Sequence, residues 1–287
     1  DADKIRAGKF KVALDAVNST GGLAIPKLLE ALGVEVVKLY CEPTGHFPHN
    51  PEPLKEHLEE IMRLVPESGA DFGIVVDPDV DRLAFISNDG TMFGEEYTLV
   101  ACADYVLSKT PGNTVSNLSS TRALRDITNK HGGSYEAAAV GEVNVVSKMK
   151  DTKAIIGGEG NGGIIYPDSH YGRDALVGTA LFLMLLCEKG GSVKELRESY
   201  PAYFMSKKKM QLTPDLNVDA LLVAMAEKYK DYNPSTIDGV KIDFEDSWVH
   251  LRKSNTEPII RIYTEAGSQD AADDLAQKII CEIASIT

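Results

Sequence analysis

The first 92 residues repeat one pattern, an apolar strand followed by an amphipathic helix, and that pattern restricts the chain to a layered α/β fold. "FKVALDAV" at 10–17 is an apolar strand, and "LAIPKLLEALG" is a short helix stopped by Gly33. "VEVVKLY" at 34–40 is the next strand, and "LKEHLEEIMRLV" places Leu54, Leu58, Ile61 and Val65 on one helical face. "ADFGIVVD" at 70–77 and "RLAFISNDG" at 82–90 close the unit as neighbouring strands. The alternation then recurs: helix 95–108, strand 113–120, helix 121–132, strands in "SYEAAAVG" and "TKAIIGGEG", and an apolar helix at 174–188. After about residue 205 the texture changes to a basic, loop-like "SKKKMQLTPD", a helix near 217–230, strands around 241–254 and 258–265, and a final helix at 270–286. The expected fold is α/β: two similar α/β-layer domains with mixed sheets, over 1–92 and 93–205, then a smaller α+β domain over 206–287.

Composition narrows the function. A net charge of −13 disfavours a general nucleic-acid or anionic-membrane surface, although a local basic cluster can still hold an anionic small molecule. "LVGTALFLMLLC" at 176–187 is too short to span a bilayer and reads as a buried helix. Cys41, Cys102, Cys187 and Cys281 lie far apart in mostly apolar surroundings, which predicts buried free thiols and a cytoplasmic protein.

The turn between the two strands at 70–90 reads "VVDPDVDRL", with Asp77, Asp79 and Asp81 at every second position and Arg82 next. Carboxylates so close repel unless a positive group sits among them. An EF-hand fails, because Arg82 stands where glycine is needed and Asn88 where glutamate is. A phosphatase with Asp77 as nucleophile is open, though "DD" at 273–274 sits poorly for its downstream acidic pair. A three-carboxylate Mg²⁺ site is also open, since alternate residues of an extended chain point the same way. An acidic turn that binds nothing fits these residues taken alone.

Other loops discriminate among these readings. "VHLRKSNTEPIIRIYTEA" at 249–266 gathers Arg252, Ser254, Asn255 and Thr256 between two strands, with Arg261 beyond, and such groups grip a phosphate dianion. A plain polar hairpin, with Arg261 paired to Glu265, is the alternative. "IIGGEGNGGIIYP" at 155–167 surrounds Glu159 with glycines, which let backbone approach a ligand while the carboxylate accepts hydrogen bonds, as a sugar diol requires. Asp174 in "YGRDA" is placed to cap the apolar helix.

Together, "DPDVDR", "GGEGNGG" and "RKSNTEP" resemble, in order and spacing, the metal, sugar-recognition and phosphate-binding loops of the α-D-phosphohexomutase family, which includes phosphoglucomutase, phosphomannomutase and phosphoglucosamine mutase. The resemblance implies that Asp77, Asp79 and Asp81 hold Mg²⁺ and that Arg82 helps position the reacting phosphoryl group. It implies sugar contacts by Glu159 and Asn161, and phosphate contacts by Arg252, Ser254, Asn255, Thr256 and, in "DGVKID", Lys241. The implied reaction interconverts hexose 1-phosphate and 6-phosphate through a phosphoserine and a hexose 1,6-bisphosphate. Two positions depart from the family pattern: Asn161 stands in a serine place and Pro78 in a glycine place.

No segment matches the family's phosphoserine loop. "FPHNPEP" at 47–53 has no serine and reads as structural, while Ser119 and Ser120 read as a strand-to-helix cap. The chain is therefore expected to be domains two, three and four of such an enzyme, inactive without the N-terminal domain. The alternatives are an Mg²⁺-dependent aspartate-nucleophile sugar phosphatase and a non-catalytic sugar-phosphate-binding protein.

Overall fold

The computed structural model describes residues 1–211, 217–254 and 257–286. Its contacts divide the chain into two compact units, residues 1–137 with 141–200, and residues 138–140 with 201–287.

The first unit contains both α/β layers. Helix α1 (Ala2–Gly8), absent from the sequence expectation, is capped by the Asp1 carboxylate on the Lys4 N–H. Then come β1 (Lys11–Asp15), α2 (Gly21–Ala31), β2 (Glu35–Leu39), α3 (Glu59–Ser68), β3 (Phe72–Val76) and β4 (Leu83–Ile86). The sheet order is β2-β1-β3-β4, with β1 parallel to both β2 and β3, and β4 antiparallel to β3. The second layer runs α4 (Glu95–Lys109), β5 (Thr114–Asn117), α5 (Ala123–Lys130), β6 (Tyr135–Ala138), α6 (Glu142–Thr152), β7 (Ile156–Glu159), β8 (Gly163–Ile165), α7 (Ala175–Lys189) and α8 (Val193–Glu198). Its sheet, β6-β5-β7-β8, repeats the first order, with β5 and β7 parallel and β8 antiparallel. Both sheets thus change direction at their last strand, and the loops before β4 and before β8 carry the two motifs singled out in the sequence.

The two layers share a core. Phe72 of β3, Phe85 of β4, Phe93 and Phe182 of α7 are all fully buried. Phe85 stacks on Phe182 at 3.7 Å between ring centroids, and Phe72 and Phe93 meet Phe182 edge-on at 5.5 and 5.4 Å. Helix α4 touches β4, β7, β8, α5 and α7 and is buried along most of its length, so its pattern is apolar or small nearly all round rather than striped.

The second unit is an antiparallel sheet of order β10-β11-β12-β9, formed by β9 (Phe204–Gln211), β10 (Val240–Asp243), β11 (Trp248–Lys253) and β12 (Ile259–Ala266). Helices α9 (Val218–Lys228) and α10 (Gln269–Ile286) supply the rest of its core, where Leu221, Met225, Ile279 and Ile283 pack on Val249, Leu251, Ile260 and Ile262. The basic run Lys207–Lys209 is not a loop: it lies in β9, the edge strand paired with β12. Lysines suit an edge, where they keep the unpaired side from docking onto other strands. The strand expected over 241–254 is a hairpin of two, β10 and β11. The four cysteines are unpaired, as expected, but only Cys102 is buried and Cys281 is exposed. Among the described residues no helix is long and apolar enough to cross a membrane.

Candidate active site: an aspartate loop stitched to a glycine-rich loop

β3 runs fully buried into Asp77, so this carboxylate sits at the carboxyl end of a central strand, with 4% of its surface exposed. Its Oδ1 accepts the backbone N–H groups of Asp81 (3.1 Å) and Arg82 (3.0 Å). These bonds curl the loop back on itself and bring one carboxylate oxygen of each of Asp77, Asp79 and Asp81 within 4.8 Å of the others. Val80 takes the strain of that curl, with φ at 63°, a region β-branched residues avoid. The Asp77 carboxyl is raised to about 7, chiefly by burial and further by the neighbouring Asp81 and Asp79, while the Arg82 N–H pulls the other way.

Arg82 points its guanidinium across this cluster. Nη1 donates to Glu52 Oε1 at 3.0 Å, and Nε lies 3.5 Å from Asp77 Oδ2 and 3.9 Å from Asp81 Oδ1. Asp81 Oδ1 and Arg82 Nε are buried, and neither has a hydrogen-bond partner among the described residues. An all-oxygen donor set, one orphaned buried carboxylate oxygen and a carboxyl group pushed up by burial and by neighbouring carboxylates fit a hard divalent cation, which would satisfy the orphan and relieve the repulsion.

The glycine-rich loop joins the same platform. The Leu83 N–H donates to Gly162 O at 3.0 Å, Asp174 N to Ile164 O at 2.9 Å and Ala175 N to Val80 O at 3.1 Å. Glu159 ends β7 with 6% exposure. Its Oε1 accepts from Asn117 Nδ2 (2.9 Å) and the Gly141 N–H (3.1 Å), and its Oε2 from Arg173 Nη1 (3.2 Å). A carboxylate offers about four acceptor positions, so one is left for a ligand. Asn161 Oδ1 accepts the Gly163 N–H at 3.2 Å and so folds the loop tip itself. A Cβ at Gly160 would stand 2.0 Å from Glu96 Oε2, so glycine there allows the close approach of α4.

The N-cap residue of α5, Arg122, makes no side-chain cap hydrogen bond, and Ser120 serves the neighbouring loop. Ser120 Oγ donates to Asn117 Oδ1 (3.0 Å) and accepts the Gly160 N–H (3.0 Å), bracing the glycine-rich loop from below. Asp174 does cap α7, accepting from the Leu176 and Val177 N–H groups at 2.8 and 3.1 Å.

The phosphate-loop candidates lie in the second unit. Arg252 Nε meets Asp238 Oδ2 at 2.9 Å, and Arg261 of β12 stands directly opposite Arg252 in register, with Lys209 of β9 next in line. Like charges placed opposite in a sheet repel, and an anion between them would remove that repulsion. Arg261 does not need Glu265, which is buried and accepts the Trp248 indole N–H at 2.7 Å. Ser254 is buried at the end of the hairpin, its Oγ accepting the Glu257 N–H at 3.3 Å. Lys241 is also buried, its ammonium 4.4 Å from the Trp248 ring centroid and its strand position opposite His250. Asn255 and Thr256 lie outside the described residues.

Sequence reasoning missed Glu52, Asn117 and Arg173, and read Ser120 as a helix cap rather than a brace of the glycine-rich loop. Glu52 stands in the proline-rich "FPHNPEP", read as structural, and Arg173 is in the quoted "YGRDA", where only the cap was noticed. Both act on partners far along the chain, beyond the reach of local spacing.

Three family models match the chain: "Phosphoglucomutase/phosphomannomutase, alpha/beta/alpha domain II" over residues 1–90, the corresponding domain III over 94–203, and the C-terminal domain over 207–281. A phosphoglucomutase/phosphomannomutase of Thermococcus kodakarensis is 37% identical over 274 residues, covering 95% of this chain and 60% of the relative. A phosphoglucosamine/phosphogalactosamine mutase of Sulfurisphaera tokodaii is 33% identical, covering 97% and 63%. The crystal structure of a phosphoglucomutase/phosphomannomutase family protein from Burkholderia thailandensis superposes with a TM-score of 0.84 at 28% identity, over 98% of this chain and 62% of that one. The chain thus spans about 60% of the length of these relatives.

Proposed function

Because this chain belongs to the phosphoglucomutase/phosphomannomutase family, the α-D-phosphohexomutases, we propose that it supplies the cation-binding, sugar-recognising and phosphate-gripping parts of an isomerase that moves a phosphoryl group between the 1- and 6-positions of a hexose. The observation that carries this reading is the convergence of Asp77, Asp79 and Asp81 on a loop hydrogen-bonded directly to the glycine-rich loop. A cation site and a carboxylate that accepts from hydroxyls are then parts of one platform.

In this reading Asp77, Asp79 and Asp81 hold Mg²⁺, which supplies charge neutralisation for a transferring phosphoryl group. Arg82, steadied by Glu52, adds a second positive group on the same side. Glu159 accepts from a sugar hydroxyl through its remaining lone pair, and Asn161 shapes the loop tip. Arg252 and Ser254, with Asn255 and Thr256 beside them, grip the phosphate that stays in place, and the opposed Arg252 and Arg261 favour an anion there. Lys241, packed on Trp248, contributes positive potential to that unit rather than a flexible arm.

The phosphoserine is not among these groups, so the chain alone binds a hexose phosphate without interconverting it, and a hexose 1,6-bisphosphate serves the complete enzyme as intermediate. Glucose 1-phosphate offered to the isolated chain with Mg²⁺ and glucose 1,6-bisphosphate, followed by a glucose 6-phosphate-coupled assay, tests this. Calorimetric binding without turnover is the expected result. Turnover by the chain alone overturns the division of labour, and no binding of any of the glucose, mannose or glucosamine phosphates overturns the sugar-phosphate reading.

A further inference from the structure

The Arg173 side chain reaches both the aspartate loop and the end of the strand that leads into the glycine-rich loop. It precedes the Asp174 cap of α7, and its backbone forms an antiparallel bridge with Ile165 of β8. Its side chain is 15% exposed and each guanidinium nitrogen meets a different carboxylate. Nε donates to Glu142 Oε2 at 3.0 Å, Nη1 to Glu159 Oε2 at 3.2 Å, and Nη2 to Asp81 Oδ2. One partner is in the aspartate loop, one ends the strand before the glycine-rich loop, and one sits in the first turn of α6. The path of the stem is built in as well: a Cβ at Gly163 would come within 2.3 Å of Arg173 Cδ, so the glycine clears the way for it.

We infer that Arg173 couples cation binding at the aspartate loop to the position of Glu159, so that the two loops respond as one. The inference rests on the metal reading of Asp77, Asp79 and Asp81. Its physical basis is competition for a shared carboxylate. The guanidinium neutralises Asp81 through Oδ2, while the other oxygen of that carboxylate is buried and unpartnered among the described residues. A divalent cation at the loop takes over that neutralisation and weakens the hold of Nη2. The guanidinium then rests on Glu159 and Glu142, and its planar fork carries the change across, because a rigid group cannot give up one partner without adjusting the others. By reciprocity, whatever alters the grip of Arg173 on Glu159 alters cation affinity equally. Arg173 is a positioning residue in this scheme, acting on the cation and on the sugar loop through Asp81 and Glu159.

Titrating Mn²⁺ into the full chain, with the free aqua ion followed by electron paramagnetic resonance, reads the coupling without any turnover. Arg173→Met removes the competing charge and is expected to tighten Mn²⁺ binding. Glu159→Gln removes one anchor of the guanidinium, commits it more firmly to Asp81, and is expected to weaken Mn²⁺ binding about tenfold in the parent chain but only about twofold in the Arg173→Met background. Arg173→Lys, whose ammonium reaches a single carboxylate, keeps a positive charge in the site and is expected to lose the same non-additivity even if the methionine variant fails to fold. Equal effects of Glu159→Gln in all three backgrounds, or weaker Mn²⁺ binding after Arg173→Met, overturn the coupling. A parent chain that takes up no Mn²⁺ overturns the metal reading itself, and the inference with it.

Discussion

Asp77 organises the aspartate loop through backbone hydrogen bonds. It accepts two backbone N–H groups on one oxygen and stays within reach of Arg82 on the other. Its carboxyl, raised to about 7 by burial and by Asp81 and Asp79, makes a signed prediction. The folded chain holds this proton more tightly than the unfolded chain, so the stabilisation is complete below the ordinary carboxylate range and is lost as pH rises towards 7. In a chelator, Asp77→Asn should therefore raise Tm at pH 8, by about 2–4 °C for each kcal/mol of repulsion removed, and flatten the dependence of Tm on pH. Mg²⁺ should raise the Tm of the parent and leave that of the variant unchanged. A variant that melts lower at pH 8 in chelator would show that Asp77 is charged and well compensated without a cation. At this scale the sequence was readable where the chemistry is contiguous. Asp77, Asp79, Asp81 and Arg82 declare themselves by spacing, whereas Arg173 reaches Asp81 across 92 positions and Glu52 reaches Arg82 across 30. No local pattern encodes such a pairing, since it exists only once β4, β8 and the segment before α7 lie side by side.

At the scale of elements, α7 shows how a fold places a functional group. Asp174 caps it through two N–H groups, and the residue just before the cap is Arg173. Asp174→Ala should lower stability by about 1 kcal/mol, as loss of a helix cap does, and calorimetry checks the magnitude. The same element ends were legible to the eye: the expected helix at 95–108 is Glu95–Lys109, and the expected 270–286 is Gln269–Ile286. The misses have physical causes. The sequence expectation has no element over α6, where only Val145 and Met149, four residues apart, are buried and no apolar stripe marks a helix. β9 was obscured because Lys207–Lys209 look like a solvated loop, although an edge strand tolerates lysine well. The hairpin β10–β11 turns at 244–247, a segment with no glycine or proline to mark the break between its strands.

For the whole molecule, the two units carry opposite pH signatures. His250, buried in the second unit, is pushed down to about 4 by that burial. A base held neutral in the fold stabilises fully above its ordinary range near 6.5, and that stability is lost as pH falls towards 4. Asp77 in the first unit works in the other direction. Each unit has its own core, so two calorimetric transitions are expected. On lowering the pH from 7 to 5 in a chelator, the transition of the first unit should move up and that of the second down. Parallel movement of both would show that other groups dominate the acid response, and His250→Gln should remove the downward shift of the second transition.

Four phenylalanines of the first unit, Phe72, Phe85, Phe93 and Phe182, set a rule for anyone who would recombine this family. The family models divide the chain between residues 90 and 94, yet Phe85 on one side of that division stacks on Phe182 from the other, with Phe72 and Phe93 against the same ring. A seam in sequence is here not a seam in cohesion. A chimera crossed over at residue 92 inherits half of an aromatic lock, and its partner half must bring rings of the same size and tilt, or the hybrid starts life with a hole in its middle.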